Sequence, residues 1–381
     1  MYFFRADGNE KIGAGHLMRC LTIAQELAER VSGEQIVFLC ADALSGEMAE
    51  KQGFSVRVLQ TDYRHMEAEL PVLKGMLEEE FQQASGSRKG AVFLVDSYFV
   101  TPEYLSALKE LGFVALLDDL GRKPYPVDMV INYNAPAGRA HYERLYENRQ
   151  VQLVIGSSFI PLRKQFQGKQ YQVREKVEKV LITTGGGDVD NIAGKILERL
   201  YTPEIEFHLV VGQFNPHFQE LKEKEGLGNV VIHSRVEDMA GLMIRADLVI
   251  TAGGSTVYEL AALGVPFICF SYAENQEALT EYIGERKLAG FAGAYHLNPE
   301  ETLENMKRLF QKWCKEKKDR EACALAVKGL TDGQGAARLA EKLEEVHRKQ
   351  PGSEVKDMRV WQQPGEKVQD GQAWDRKGET A

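Results

Sequence analysis

The sequence predicts an α/β protein of two doubly wound units, and two observations carry this prediction. Short apolar runs alternate with amphipathic stretches, and the alternation restarts after the charged segment at 168–179. Strands that alternate with helices form parallel sheets through right-handed crossovers. The length of 381 residues also exceeds the size at which one hydrophobic core usually keeps growing. We therefore expect one unit over 1–165, a second over 166–349 and a flexible tail over 350–381.

The strands are predicted where short apolar runs end in polar or glycine-rich loops. In the first unit these runs are Tyr2–Arg5, Gln35–Ala41, Val92–Val95, Val114–Leu117 and Met129–Ile131. In the second unit they are Val180–Thr183, Glu206–Val211, Val230–His233, Leu248–Thr251 and Pro266–Phe270. Amphipathic spacing predicts helices over His16–Val31, Pro102–Leu111, Glu300–Lys318 and Gly335–Arg348. In open sheets of this kind, ligands bind beyond the carboxyl ends of the strands.

The last 32 residues have little apolar periodicity and contain PGS, QQPGE and DGQ, which favours a flexible tail. Trp361 and Trp374 in this tail are interpreted as stray aromatics in preference to docking anchors.

The composition, 44% hydrophobic and 27% charged, is typical of a folded globular protein, and no apolar run approaches the roughly 20 residues of a membrane span. The N-terminal segment lacks the long apolar stretch of a secretory signal, so we expect a cytoplasmic protein. The five cysteines are scattered and predict neither a disulfide framework nor a metal site. A net charge of −9 disfavours a nucleic-acid partner but allows a small anionic ligand held by backbone amides.

The first strand leads into the glycine turn Gly13-Ala14-Gly15 and then His16. Glycines let a backbone approach a ligand closely, and the free amides of a helix start attract negative charge. The turn lacks both the third glycine of a dinucleotide fingerprint and the Lys-Ser/Thr ending of a P-loop, so neither cofactor is indicated. An imidazole here can accept a proton from water. We expect His16 to be a general base, the alternative being a histidine that caps or packs the helix start.

Two further glycine turns follow predicted strands of the second unit. They contain Gly185, Gly186, Gly187 and Asp188 in one case and Gly253, Gly254, Ser255 and Thr256 in the other. Amides and hydroxyls at a helix start suit a diphosphate. One such loop can be purely structural, but two at equivalent places of one sheet favour phosphate binding.

Polar side chains accompany the last of these loops. Glu259 either bonds a ribose diol or balances the helix dipole, and the sequence favours neither. Asn275 and Gln276 follow the next strand, where Asn275 either caps a helix or orients a water or phosphate oxygen. These residues therefore extend the predicted ligand site along the same sheet edge.

Taken together, these motifs resemble a known family. The run Arg5-Ala6-Asp7, then Ile12-Gly13-x-Gly15-His16, then Arg19-Cys20, is similar to the N-terminal signature of UDP-2,4-diacetamido-2,4,6-trideoxy-β-L-altropyranose hydrolases of pseudaminic acid biosynthesis. The likeness continues over roughly residues 2–340. Its further motifs are Val95-Asp96-Ser97-Tyr98, Asp118-Asp119, Asp128, Asn132-Tyr133-Asn134, Gly156, Pro161-Leu162-Arg163, the two loops of the second unit and Asn275-Gln276.

The resemblance implies a GT-B-like fold, in which two Rossmann-like domains face each other across a cleft. It places UDP on the second domain, the sugar on the first and the water-activating role on His16. The substrate-side residues that it implies are Arg5, Asp7, Gly13, Gly15, Asp96, Tyr98, Asn275 and Gln276. Many relatives have histidine where this chain has Ser97, so a role of that histidine is not carried over. Relatives in spore-coat polysaccharide loci share much of the pattern, and their sugars need not be the same.

The expected reaction is hydrolysis of a UDP-linked sugar at C1 with inversion, without a metal or other cofactor. Water deprotonated by His16 would attack C1, while amides of the second unit hold the leaving diphosphate. One alternative is a GT-B glycosyltransferase that passes the sugar to an acceptor. Another is a non-catalytic nucleotide-sugar binding subunit. Turnover with and without an acceptor separates the three.

Overall fold

The structure is a computed structural model that describes residues 1–9, 12–83, 90–185, 188–212 and 215–350. Within these ranges the chain forms two parallel β-sheets whose strands are connected by helices. This confirms the predicted α/β class. The predicted tail, apart from Gln350, lies outside the described residues, and so do Trp361 and Trp374.

The described part of the first half contains seven parallel strands. They are β1 (Tyr2–Ala6), β2 (Ile36–Cys40), β3 (Ser55–Val58), β4 (Val92–Asp96), β5 (Phe113–Leu117), β6 (Met129–Asn132) and β7 (Gln152–Ile155). Their order across the sheet is β3-β2-β1-β4-β5-β6-β7. The helices of this half are α1 (Gly15–Ala28), α2 (Ala43–Glu50), α3 (Leu70–Gln83), α4 (Pro102–Lys109) and α5 (Arg139–Leu145).

In the second half, six parallel strands are described. They are β8 (Lys179–Thr183), β9 (Glu206–Val210), β10 (Val230–His233), β11 (Leu248–Ala252), β12 (Phe267–Ser271) and β13 (Gly290–Ala294). Their order is β10-β9-β8-β11-β12-β13. The helices that follow β8 are α6 (Ile192–Leu200), α7 (Phe218–Glu223), α8 (Met239–Arg245), α9 (Thr256–Leu263), α10 (Glu274–Glu285), α11 (Pro299–Lys315), α12 (Lys317–Val327) and α13 (Gly335–Lys349).

Both faces of the first sheet are covered, as a doubly wound fold requires. Tyr2 and Phe4 pack into one apolar core, whereas Phe3 packs into the core on the opposite face. The side chains of a strand alternate between faces, so an uninterrupted apolar run such as that of β1 is stable only when both faces are buried. The sequence pattern thus determines the layering of the sheet.

Helix α13 ties the second half back to the first. It packs against α1, and His347 stacks on Tyr2 with ring centroids 4.7 Å apart. Its first residue, Gly335, lies so close to the segment after β7 that an added Cβ would sit 2.2 Å from the Ile160 carbonyl oxygen. The sequence division placed this helix in the second unit, but its packing partner is a helix of the first.

The pairing of the strands brings the motif loops together. In the first sheet β1 lies beside β4, with Ala6 opposite Asp96, so the glycine turn and the Asp96 loop emerge at one edge. In the second sheet β8 lies beside β11, which puts their two glycine loops at one edge. Residues from both halves then line a common cleft of about 1050 Å³. No helix among the described residues has the length and apolar character needed to cross a membrane.

Candidate functional site

His16 and Asp96 form a hydrogen-bonded pair at the carboxyl edge of the first sheet. His16 is the second residue of α1, and its Nδ1 lies 2.7 Å from Oδ1 of Asp96. A carboxylate offers only lone pairs, so the bond to Asp96 requires a proton on Nδ1. Arg19 Nη2, which can only donate, also lies 2.9 Å from this nitrogen, but its nearer acceptor is Oδ1 of Asp96 at 2.5 Å. In the neutral ring this leaves Nε2 as the unprotonated nitrogen, the form that a general base needs.

Arg19 holds this pair in place from one helical turn further along α1. Its guanidinium donates to both oxygens of Asp96, with Nη2 2.5 Å from Oδ1, and it also donates to Asp119 at 3.1 Å and to the Tyr133 hydroxyl. Burial of Asp96 opposes its ionisation, but the charge of Arg19 and the hydrogen bonds from Arg19 and His16 outweigh burial and lower its pKa. Asp96 is therefore a carboxylate when it bonds His16.

Tyr98 packs against the ring of His16. Its ring meets the imidazole edge-on at a centroid distance of 4.5 Å, and its hydroxyl donates to Oδ2 of Asp119 at 3.0 Å. Half of the Tyr98 side chain is exposed, and it borders both the large cleft and a small cavity of about 130 Å³. That small cavity is lined by Asp7, Ile12, His16, Asp96, Ser97, Tyr98 and Phe99. It is large enough for a few waters beside the imidazole.

Arg5 requires a correction, because it was expected on the substrate side but is fully buried. Its guanidinium donates to both oxygens of Glu69, at 2.8 and 2.9 Å, and to Oδ2 of Asp7 at 2.5 Å. The other oxygen of Asp7 accepts from the Ala41 amide at 2.7 Å. Arg5 thus links β1 to Glu69 in the protein interior. Asp7 lines only the small cavity and not the large cleft.

The N-terminal glycines differ in their positions. Gly13 has φ +71°, a conformation that favours glycine, and it bridges back to Asn9 so that the turn closes on itself. Gly15 begins α1 and lines the large cleft, with nothing near enough to meet an added Cβ. Of the two, only Gly15 is placed where its backbone can approach a cleft ligand.

The loop between β11 and α9 presents a helix start to the cleft, although not through the amides of its glycines. The Gly253 amide donates to the Phe270 carbonyl and the Gly254 amide to the Ala252 carbonyl, each at 2.9 Å. Among the described residues, the amides of Ser255 and Thr256 have no protein acceptor. A phosphate at this place would therefore be bound by Ser255 and Thr256, and the glycines provide the space for it.

Gly253 is needed for packing. A Cβ on it would lie 2.2 Å from Cγ2 of Thr280, so any larger residue would push α10 away from the loop. Gly254 lines the cleft, and a Cβ added to it would meet no atom within 4 Å, so its small size leaves room for a ligand.

The loop after β8 contributes differently from what the sequence suggested. Gly185 has φ +93°, and Gly186 and Gly187 lie outside the described residues. Asp188 is buried and accepts from the amides of Ile192 at 2.7 Å and Ala193 at 2.8 Å and from the Thr184 hydroxyl at 3.0 Å. Its carboxylate is thereby committed to the start of α6. Neither Gly185 nor Asp188 is among the described residues that line the cleft.

Glu259 lies in the first turn of α9 and lines the cleft. Burial raises its pKa, and this effect is opposed by Arg163, whose Nη2 donates to Oε1 at 3.3 Å. The bond to Arg163 leaves Oε2 for a further donor. The two open interpretations of Glu259 therefore both remain, because the same carboxylate faces the cleft and sits near a helix start.

Asn275 and Gln276 lie in the first turn of α10 and line the cleft. The N-cap position belongs to Ala273, so Asn275 is not the cap, and its exposed amide is available to a ligand. Gln276 uses Oε1 to accept from the Tyr272 amide at 3.1 Å. Three helix starts, those of α1, α9 and α10, thus border one cleft, which favours an anionic ligand.

Three residues that line the cleft, Arg19, Asp119 and Tyr258, were not predicted as site residues from the sequence. Arg19 and Asp119 were noted only as parts of motifs, and Tyr258 was not singled out. The spacing of Arg19 three residues after His16 puts both on one helix face and could have drawn attention to it. Among the described residues, no group of three or more His, Cys, Asp or Glu side chains is arranged to hold a metal ion.

Two parallel units facing each other across such a cleft define a GT-B-like protein. The structure of MurG from Acinetobacter baumannii matches with a TM-score of 0.62 at 15% identity, covering 90% of this chain and 99% of that one. At that identity the likeness establishes the fold alone. It confirms the predicted GT-B-like architecture.

Sequence comparison adds relatives. Residues 154–334 match the model of the glycosyltransferase family 28 C-terminal domain. The UDP-2,4-diacetamido-2,4,6-trideoxy-beta-L-altropyranose hydrolase of Campylobacter jejuni is 25% identical over 285 residues, covering 74% of this chain and 96% of the relative. The spore coat polysaccharide biosynthesis protein SpsG of Bacillus subtilis is 24% identical over 356 residues, covering 91% and 98%. These matches confirm the resemblance inferred from the motifs and relate the chain to nucleotide-sugar enzymes.

Proposed function

We propose that this protein hydrolyses a UDP-linked 2,4-diacetamido-2,4,6-trideoxy sugar at C1 to UDP and the free sugar, in the cytoplasm. The observation that carries the proposal is the His16–Asp96 hydrogen bond of 2.7 Å beside the cleft. A histidine whose Nδ1 proton is held by a carboxylate has its other nitrogen free to take a proton from water. The ion pair with Arg19 keeps that carboxylate charged.

The reaction that follows from this geometry is a direct displacement. Nε2 of His16 takes a proton from a water molecule, the water oxygen bonds to C1, and the C1–oxygen bond to the diphosphate breaks with its electron pair staying on UDP. Asp96 stabilises the imidazolium that forms. Attack from the side opposite the leaving group inverts the configuration at C1.

The leaving group is held by the second unit. The open amides of Ser255 and Thr256 stand at the start of α9, and Asn275 presents its side chain from the start of α10. Fixed donors and helix dipoles stabilise charge that develops on a phosphate oxygen, and they do so without rearranging during the reaction. On this proposal UDP lies against α9 and α10, with Glu259 bonding the ribose.

The likeness to the Campylobacter jejuni hydrolase supports this assignment, since it covers nearly all of that relative. The assignment is also consistent with the side chains around His16. The substrate pocket of the first unit would consist of Asp7, Gly15, Asp96 and Tyr98, with Arg5 bracing it and Gly13 shaping the turn.

A transferase is the second candidate, and one observation favours it. The second half matches a glycosyltransferase domain model. A transferase would use the same UDP site and the same base but would deprotonate an acceptor hydroxyl. The cleft of about 1050 Å³ has room for a nucleotide sugar and part of an acceptor.

The test is UDP release from a panel of UDP-diacetamido sugars, measured with and without EDTA and with no acceptor present. The proposal expects catalytic UDP release, with the α/β configuration of the product read by NMR as inverted. Release that depends on an added acceptor would establish the transferase. Tight binding of the sugar nucleotides without turnover would establish a binding subunit, and loss of activity in EDTA that magnesium restores would overturn the metal-independent mechanism.

A further inference from the structure

Tyr258 connects the two halves of the molecule at the cleft. It lies in the first turn of α9, its ring is almost fully buried, and it lines the cleft. Its hydroxyl accepts a hydrogen bond of 2.8 Å from the amide of Ala135, which lies in the loop after β6 of the first unit. One hydroxyl group therefore stands at the boundary between the two units.

The Tyr258 hydroxyl still has a proton to donate. A phenol carries one O–H donor beside its acceptor lone pairs, and the Ala135 amide uses only a lone pair. No acceptor for the Tyr258 proton is found among the described residues. Burial raises the pKa of Tyr258, so the group keeps its proton at neutral pH. A buried hydroxyl with an unused proton at a cleft wall is suited to bond a ligand oxygen.

The surroundings of Tyr258 indicate which ligand oxygen it meets. On its own helix, two residues earlier, the Thr256 amide is open. On the other side, Tyr133 precedes Ala135 in the same loop, and its hydroxyl accepts from Arg19, which binds Asp96. Tyr258 thus stands between the amides proposed to hold the diphosphate and the network that holds His16.

We propose that the Tyr258 hydroxyl donates a hydrogen bond to the phosphate oxygen through which the sugar is attached. The inference rests on the proposed binding of a nucleotide sugar with UDP on the second unit and the sugar on the first. In that arrangement the atoms at the boundary are those of the sugar–diphosphate linkage. The proton stays on Tyr258, and the hydrogen bond strengthens as the linkage oxygen gains charge when the C1–oxygen bond breaks.

The same oxygen becomes a terminal oxygen of UDP after the reaction, which allows a test that does not depend on turnover. UDP carries this β-phosphate oxygen and UMP does not. Tyr258→Phe keeps the ring and removes the hydroxyl. It is expected to weaken UDP binding about 10- to 100-fold, the range for a hydrogen bond to a charged group, and to leave UMP binding unchanged. Calorimetric titration of both nucleotides measures this.

Tyr171→Phe is the matched control. Tyr171 is a buried tyrosine of the second half whose hydroxyl donates to the Asp247 carbonyl and which does not line the cleft, so the loss of its hydroxyl should alter the binding of neither nucleotide. Replacing Tyr258 by 3-fluorotyrosine separates donation from acceptance, because the fluorinated phenol is a stronger donor and a weaker acceptor. Donation to the phosphate predicts UDP binding at least as tight as in the wild type.

The outcomes separate this inference from the proposed function. If wild-type protein binds UDP but Tyr258→Phe binds it equally well, or loses UDP and UMP to the same extent, the inference is wrong. A 3-fluorotyrosine protein as weak as Tyr258→Phe would also overturn it, because the hydroxyl would then serve only the Ala135 amide. A selective loss of UDP binding in a protein that never releases UDP from a sugar would support the inference and overturn the hydrolase.

Discussion

The two halves line the cleft with different chemistry. The first half presents Arg19 and Asp119 to the cleft, and Arg19 bonds both Asp119 and Asp96, which holds His16 at the neighbouring small cavity. The second half presents helix starts whose donors have no partner among the described residues, chiefly the Ser255 amide. A fixed ionic network can set the tautomer of a base, whereas open amides can hold an anion. The difference suggests a division between proton transfer and charge binding.

The most direct test of this division is to remove the proposed general base, His16. His16→Asn should lower kcat by about 10²-fold or more, the usual effect of losing a general base, and leave UDP affinity unchanged because the side chain belongs to the first half. Steady-state kinetics and UDP titration measure the two effects.

His296→Asn is the control for this variant, since neither His296 nor its partner Glu277 is among the residues that line the cleft. Near-normal turnover in a folded His16→Asn protein would refute the role. Weakened UDP binding in that variant would move the nucleotide to the first half.

The network itself is tested by Asp96→Asn. The amide cannot accept the His16 proton with the strength of a carboxylate, so kcat should fall by about 10²-fold, as expected when members of one catalytic unit are lost. Unfolding free energy should also fall, because Arg19 loses its main counter-ion. Kinetics and urea denaturation separate the two.

The double variant His16→Asn/Asp96→Asn decides whether Asp96 acts through His16. It should be little slower than His16→Asn alone. Fully multiplicative losses would show that the two residues act independently and that Asp96 contacts the substrate by itself.

The sequence was sufficient to predict the interior strands and one edge strand, β10, but not the other three edge strands. Central strands such as β4 and β11 are short unbroken apolar runs, a pattern that identifies a buried strand directly. Of the strands missed, β3, β7 and β13 are all edge strands. β3 and β7 are short and half-exposed, and β13 contains two glycines, so none has the apolar pattern of a buried strand.

The site was predictable where a motif stands at the end of a strand and unpredictable where residues meet across long separations. His16 and the loop ending in Ser255 were found from glycine turns. The partners of Arg19 and Tyr258, which lie 77 and 123 residues away, depend on how the sheets pack. Arg5 was wrongly placed on the substrate side because a motif match does not show how deeply a side chain is buried. Its position within the apolar run of β1 could have indicated that it is buried.

Glu259 tests the difference between the two halves, because it is a charged group in the half that otherwise offers neutral donors to the cleft. If it bonds the ribose, Glu259→Ala should weaken UDP binding by roughly 1.5–3 kcal/mol, the range for hydrogen bonds to charged groups. If it serves the helix dipole and Arg163, the change should cost only about 0.3–1 kcal/mol of stability and leave binding intact. Titration with UDP, alongside thermal melts, measures both.

Glu274→Ala is the matched control for Glu259→Ala. Glu274 is an exposed carboxylate in the first turn of α10 and does not line the cleft. It should reproduce the dipole effect without any effect on UDP. An unaltered UDP dissociation constant in Glu259→Ala would defeat the ribose assignment.

The smallest expected effect concerns how the two halves are held together. His347 of α13 stacks on Tyr2 of β1, and burial together with the nearby Met1 amine, 3.1 Å from its Nε2, lowers its pKa to about 4. Since an unfolded histidine has a pKa near 6.5, the unfolded chain binds more protons between these values. The contribution of His347 is therefore complete above about pH 6.5 and is lost as the pH falls towards 4, by about 1 kcal/mol between pH 7.5 and 5.5.

His347→Phe, which keeps a ring on Tyr2, should flatten this pH dependence, and His65→Gln at a largely exposed site should not. Urea denaturation at pH 7.5, 6.5 and 5.5 measures the difference. Equal slopes in wild type and His347→Phe would mean that the joint between the halves does not respond to His347 titration. In that case the acid sensitivity over this range would have to come from another group that titrates there, such as the Met1 amine, whose pKa burial lowers to about 6 and whose contribution is lost as the pH falls from 8 towards that value.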